Sequence, residues 1–289
     1  MEHSPFRKLV ARINGRKPNS EPSRHARRTF QRRASFSFVI LLGTYLFLFL
    51  PLFVVVLYSF NPSKGSDFTG FSLVWYKSLL FSSSELWRAL GNSVIVAVTS
   101  GAVATVLGTL AAIGVNWYKF KGKMYIQTVS FLPMILPEVI IGISMLIFFA
   151  AVKIPLGLFT IFTAHTTFCL PFVFLLVLAR LDEFDYSIIE AAYDLGATER
   201  QTMFRVLLPA IMPGILSGFL IAMTMSLEDF VITFFVSGPG SATLPIYVYS
   251  MIRFGVSPVI NALSFVMILA TVLIAFALRK FLKNIAAAK

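Results

Sequence analysis

The stretch 36-FSFVILLGTYLFLFLPLFVVVLYSF-60 runs for 25 residues without a charged side chain. A helix rises 1.5 Å per residue, so roughly 20 apolar residues cross a ~30 Å hydrocarbon layer, and a run of this length reads as a membrane span. A cleaved leader is the competing reading, because Arg27-Arg28-Thr29-Phe30 resembles the start of a twin-arginine signal. The apolar run is much longer than the ~7–15 residues of a signal core, and no small-x-small cleavage site follows before Pro62. The segment is therefore expected to stay as an anchor.

The rest of the chain follows the same pattern. Of its 289 residues, 57% are hydrophobic, 30 are Phe and only 13% are charged, against about 25% charged in soluble domains; mean hydropathy is +0.81. Further apolar segments near 91–117, 125–150, 157–179, 213–236 and 258–279 predict an all-α polytopic membrane protein with six transmembrane helices. This divides the chain into a basic tail (1–35), a membrane domain (36–280) and a short C-terminal tail (281–289).

The net charge of +12 is concentrated at one end. Ten of the 25 Lys/Arg lie in residues 1–35, opposed there by Glu2 and Glu21. A basic tail directly ahead of a span fixes orientation, so no nucleic-acid partner is expected. With the N-terminus inside, 20 basic residues fall inside: the tail, Lys119, Lys121, Lys123, Arg180, Arg200, Arg205, Arg279, Lys280, Lys283 and Lys289. Five fall outside, namely Lys64, Lys77, Arg88, Lys153 and Arg253. That asymmetry predicts both termini in the cytoplasm. The single Cys169 excludes an intrachain disulfide and a Cys-based zinc site, and reads as an apolar packing residue.

Small residues recur every fourth position at Ala104, Gly108 and Ala112, and again at Gly214, Gly218 and Ala222. Such faces let helix backbones approach closely in lipid, and packing within one subunit is favoured over a dedicated dimer face. Pro133 and Pro137 interrupt the third segment and Pro171 the fourth. They mark either a transport pathway or kinks absorbed by neighbouring helices.

The interior connection 180–212 is chemically distinct, carrying Asp182, Glu183, Asp185, Glu190, Asp194 and Glu199, six of the 13 acids. It reads as helix, turn, helix. Asp185 or Ser187 caps the first helix, with Ser187-x-x-Glu190 matching a capping box, and Ile188, Ala192 and Leu195 form an apolar stripe. Gly196 suits the left-handed position past a helix end. Thr198-x-x-Gln201 then opens a second helix that runs towards Leu208 and ends at Pro209.

The spacing Glu190-Ala191-Ala192, three residues, Gly196, nine residues, Val206, one residue, Leu208-Pro209 resembles the EAA motif of ABC importer permease subunits, with Val206 where that family prefers Ile. The resemblance implies the type I importer permease fold. It also implies a coupling loop seated on a separate ATPase subunit, two such ATPases that hold ATP and Mg, a homologous second permease, and a periplasmic or extracellular substrate-binding protein. The location implied is the inner membrane of a bacterium, and the subunit itself is non-catalytic and without cofactor. In keeping with that, no G-x-x-x-x-G-K-[ST] phosphate loop occurs: Gly122-Lys123 has Trp117 where the first Gly is required.

Within that family the chain looks most similar to the polyamine (spermidine/putrescine) branch, and to the second of its two permeases. The resemblance lies in residues 71–76 (FSLVWY), 165–172 (HTTFCLPF), Arg180-Leu181, 226–240 (SLEDFVITFFVSGPG), 244–251 (LPIYVYSM) and 255–262 (GVSPVINA). The residues point the same way, since an ionisable group within a span costs at least ~2.5 kcal/mol and defaults to a functional candidate. Three acids lie there, Glu138, Glu228 and Asp229, and a polyamine is an extended polycation. Adjacent helical residues point ~100° apart, so Glu228 and Asp229 cannot share a face. Asp229 shares its stripe with Gly218 and Ala222 and is the favoured pathway acid, with Glu138 second.

Structural alternatives stand beside each assignment. Glu228 lies near the outer interface or pairs with Arg253, and Glu138 bonds backbone freed by Pro137. Trp75, Phe234, Tyr247 and Tyr249 offer cation–π faces or serve as lipid-facing anchors. His165 reads as a satisfied buried polar group, with a ligand or proton role as its alternative. Other importer cargoes, a channel or secondary carrier, and an intramembrane enzyme built on Glu138 and Asp229 are the rival functions; a channel or carrier has no use for an ATPase-docking elbow, and no peptidase motif supports the enzyme.

Overall fold

The computed structural model describes residues 24–65, 67–254 and 258–287, so residues 1–23 of the basic tail, 66, 255–257 and 288–289 lie outside the described residues. The fold is helical, with no strand among the described residues. It opens with α1 (Arg24–Ser59), α2 (Val74–Phe81) and α3 (Ser84–Trp117), followed by α4 (Lys123–Ile135), α5 (Glu138–Ala151) and α6 (Leu158–Asp182). Next come α7 (Ser187–Asp194), α8 (Glu199–Thr202), a π-helical turn (Met203–Leu207) and α9 (Leu208–Glu228). The last helices are α10 (Val231–Val236), α11 (Leu244–Phe254) and α12 (Val259–Ala287).

Two compact units result, Met1–Leu73 with Asn261–Lys289, and Val74–Ile260. In the first, the Asn61 side chain closes the turn after α1, donating to the Asp67 carbonyl (2.8 Å) and accepting from the Thr69 N–H (3.0 Å). The neighbouring Phe60 ring packs on Phe71 and Phe265.

Four described helices are long and apolar enough to cross a membrane: Phe36–Ser59, Ser84–Trp117, Leu158–Asp182 and Glu199–Glu228. The expected third span is not one rod. α4 and α5 meet at a 106° bend, where Leu136 and Pro137 are extended and Pro137 cannot continue a hydrogen-bonded helix. Pro171, by contrast, interrupts nothing: α6 runs through it, and its ring is buried. The expected fifth span divides after Glu228, where Asp229 turns extended and a short helix α10 restarts. The arm from Thr198 does not stop at Pro209 either. The Leu208 N–H reaches back to the Met203 carbonyl, a five-residue π step, and Pro209 sits in the first turn of α9. Helix thus continues from Glu199 to Glu228.

The core of the second unit is the three-helix contact of α3, α6 and α9. Both stripes of small residues serve it. A Cβ on Gly108 would stand 3.0 Å from Val173 and 3.1 Å from the Phe174 backbone, and one on Gly218 would also stand 3.0 Å from Val173. The α6–α9 contact then repeats every fourth residue along α9, which runs antiparallel to α6. Arg180 lies against Gly214, Val173 against Gly218, the Cys169 thiol donates to the Ala222 carbonyl (3.4 Å), and His165 meets Ser226. Packing within one chain therefore uses both faces, and Cys169 is a buried packing residue.

Gly108→Leu is expected to lower stability by about 1–3 kcal/mol through overpacking at Val173. Gly114→Leu on the same helix, with nothing within 4 Å of its added Cβ, should leave thermal unfolding in detergent nearly unchanged.

Candidate coupling elbow and buried polar cluster

The elbow joins two core helices, following α6 after a short turn and running without a break into α9. α6 ends at Asp182, and after a short turn α7 opens with the Ser187 N–H donating to Asp185 Oδ1 (3.0 Å). That backbone bond, with a second from the Ser187 hydroxyl, holds the Asp185 carboxyl below the usual carboxylate range. Ser187 is thus the first residue inside the helix, and the Ser187/Glu190 box is not what starts it. At the far end the Gly196 N–H donates to the Tyr193 carbonyl (2.8 Å) and the Ala197 N–H to the Ala192 carbonyl (3.0 Å), the paired closure of a left-handed helix stop. Gly196 has φ +84°. The second box forms as its residues predict: the Thr198 N–H donates to Gln201 Oε1 (2.9 Å) and the Gln201 N–H to Thr198 Oγ1 (3.3 Å).

The elbow is tied to the end of α3 by Asn116, which donates to Asp182 (3.4 Å) and accepts from the Tyr186 hydroxyl. Burial and the Asp182 charge push the Tyr186 phenol up, so it keeps the proton it donates. Ile189 faces the core, 6% exposed, whereas Ile188 (48%) and Leu195 (89%) face away from the chain. Glu190 and Ala191 are exposed beside them, Ala192 is half-buried, and Val206, Leu208 and Pro209 lie on the continuous arm.

At the opposite end of α6 and α9 sits a polar cluster. Ser100, His165, Ser226, Asp229 and Thr233 are all buried. The Asp229 carboxylate accepts from the Thr233 N–H (2.8 Å), the Thr233 hydroxyl (2.7 Å) and the Ile232 N–H (3.3 Å), which caps α10, and it lies 3.1 Å from His165 Nε2. Asp229 is thus enclosed by internal donors, and it stands at a helix break, not on a helical stripe with Gly218 and Ala222. Glu228 and Glu138 are exposed, each at a break: Glu228 ends α9 and Glu138 begins α5. His165 is the satisfied polar group that its position on an apolar helix suggests. Ser100, Ser226 and Thr233 are additional members. Asp229 with Thr233 four residues on, ahead of an apolar run, carries the signal of a side-chain cap.

Residues 104–288 match the family model described as binding-protein-dependent transport system inner membrane component. The chain belongs to this family. Among relatives, the putrescine transport system permease protein PotI of Escherichia coli (strain K12) is 41% identical over 252 residues, covering 84% of this chain and 89% of that protein. The spermidine/putrescine transport system permease protein PotC of the same strain is 39% identical over 239 residues, covering 80% and 90%. Among solved structures, a bacterial ABC transporter involved in import of the acidic polysaccharide alginate matches with a TM-score of 0.69 at 16% identity, over 91% of this chain and 99% of that one. The MetNI methionine ABC transporter in inward-facing conformations matches with a TM-score of 0.55 at 20% identity, over 69% and 93%. The family's fold is thus an ABC importer permease fold.

Asp229→Ala strands the His165, Thr233 and Ile232 donors in the core and is expected to cost about 3 kcal/mol. Glu228→Ala removes an exposed carboxylate and should leave the unfolding midpoint in place; equal midpoints for the two variants would contradict the burial assignment.

Proposed function

We propose that this chain is a non-catalytic permease subunit of an ABC importer that carries polyamines, spermidine or putrescine, across a bacterial inner membrane. The observation that carries the reading is the 39–41% identity to polyamine permeases over 80–84% of the chain. The subunit has six spans with both termini cytoplasmic, a reading supported by the Lys/Arg asymmetry. Its division is a basic tail (1–35), a permease domain (36–280) with the coupling loop 180–212, and a short C-terminal tail (281–289). A homologous permease completes the pathway, and an external binding protein delivers cargo. Two ATPase subunits hold ATP and Mg, and the tail orients the chain without contacting nucleic acid.

The elbow supports the coupling role. Its apolar stripe, Ile188 and Leu195, faces away from the chain, where the Glu190-Ala191-Ala192 helix fits a cleft on the ATPase. Movement of the elbow enters α6 through one arm and α9 through the other, so ATP-driven closure becomes a rearrangement of the core helix pair. Along the pathway, Glu228 and Glu138 are the acids proposed to meet the cargo, because each is exposed at a helix break. Asp229, favoured on sequence alone, is assigned the supporting role of holding that break.

Labelled spermidine uptake by the reconstituted complex of both permeases, ATPase and binding protein tests the reading. Unlabelled polyamines should compete and amino acids should not; the reverse pattern would assign another cargo. Gly196→Val forces a β-branched residue into the left-handed region at a cost of roughly 1–2 kcal/mol. It should abolish uptake while ATP hydrolysis continues, and normal uptake in that variant would sink the lever.

A further inference from the structure

Counting hydrogens gives the buried cluster a direction. Thr233 Oγ1 has one hydrogen and gives it to Asp229 Oδ2 at 2.7 Å. Its 2.9 Å contact with His165 Nε2 therefore requires the imidazole to carry a hydrogen at that nitrogen. The same N–H lies 3.1 Å from Asp229 Oδ2. On the other side of the ring, Nδ1 stands 2.6 Å from Ser226 Oγ, and Ser226 accepts from the Ser100 hydroxyl at 3.2 Å. With a neutral ring, Ser226 donates to Nδ1, and one chain of donors runs from Ser100 on α3 through Ser226 on α9 and His165 on α6 to Asp229 at the break.

The position of this chain in the fold gives it a consequence. α10 is held at its first turn by the Asp229 carboxylate, through the Ile232 and Thr233 N–H groups. Asp229 is held in turn by His165 on α6, the helix that leads through a short turn into the first arm of the elbow. On either side of Asp229 stand the exposed Glu228 and the half-buried Phe230, whose ring lies 5.6 Å from Phe234 and 4.8 Å from Tyr249. A carboxylate two residues along the chain from clustered aromatic rings suits an ammonium group. Its arrangement depends on the backbone that Asp229 fixes.

We propose that His165 is a positioning residue for transport, acting through Asp229 to latch the α9–α10 break to α6 and so to hold Glu228 and Phe230 where an amine cargo meets them. The proposal rests on the polyamine reading for its cargo, but the latch itself has a cargo-independent consequence. Ile232 is fully buried on the first turn of α10, and freeing Asp229 from His165 lets that turn open.

The test uses the assembled complex with the native cysteine removed (Cys169→Ala) and Ile232→Cys introduced as a reporter. Labelling by a small maleimide should rise roughly tenfold in His165→Ala, as local opening becomes easier. His165→Gln, whose amide N–H reaches towards the position of Nε2, should return labelling and uptake most of the way to the parent. In uptake, His165→Ala combined with Asp229→Asn should be no worse than the poorer single variant, whereas His165→Ala combined with Glu228→Gln should show multiplied losses. Equal labelling in all three backgrounds, or multiplied losses in the His165/Asp229 pair, overturns the latch. A parent complex that carries no polyamine overturns the cargo assignment alone, because the labelling arm still decides the latch.

Discussion

Val173 lies between two glycines, Gly108 on α3 and Gly218 on α9, each so close that a Cβ would stand 3.0 Å away. Lipid supplies no hydrophobic force to bring these helices together, so backbone approach and hydrogen bonding must do it. From Val173 the α6–α9 contact extends along α9 in steps of four, to Gly214 against Arg180 at one end and to Ser226 against His165 at the other. The elbow and the polar cluster therefore sit at opposite ends of one tightly registered helix pair. A displacement at one end has little freedom to dissipate before the other.

The two broken spans obey the rule that backbone polar groups away from water need partners. At Pro137 the ring itself removes a donor. At Asp229 no proline is present, and a carboxylate caps the restarted helix in its place. That carboxylate would be costly in a core without donors, and Ser226, His165 and Thr233 form the network that supports it. α5 and α10, the helices that follow the two breaks, also pack together, with Ile232 and Phe235 against Gly142. The sites where backbone regularity fails are therefore neighbours in the fold.

Much of this was legible in the chain. The EAA-type spacing located the elbow, Gly196 its turn and Thr198/Gln201 its second cap, because each depends on local chemistry. The small-residue stripes gave the seam for the same reason. Three features escaped. The break at Asp229 has no Pro or Gly to announce it, so the apolar pattern reads as one continuous helix, and the partner that holds the capping carboxylate from across the core, His165, lies on another helix. The Ser187/Glu190 box failed because Asp185, two residues earlier, takes the same helix start. The continuation through Pro209 depends on a π turn, which releases the carbonyl that a proline would otherwise strike.

The central claim is that the rod from Glu199 to Glu228 moves as one body, its π turn held straight by the fully buried Leu207 and Ile211. A distance between spin labels at Arg200 and Thr224, both exposed, tests it in the assembled importer with and without trapped ATP. The account predicts the same distance distribution in both states. A shift of several ångströms between them would place a hinge at the π turn and contradict it.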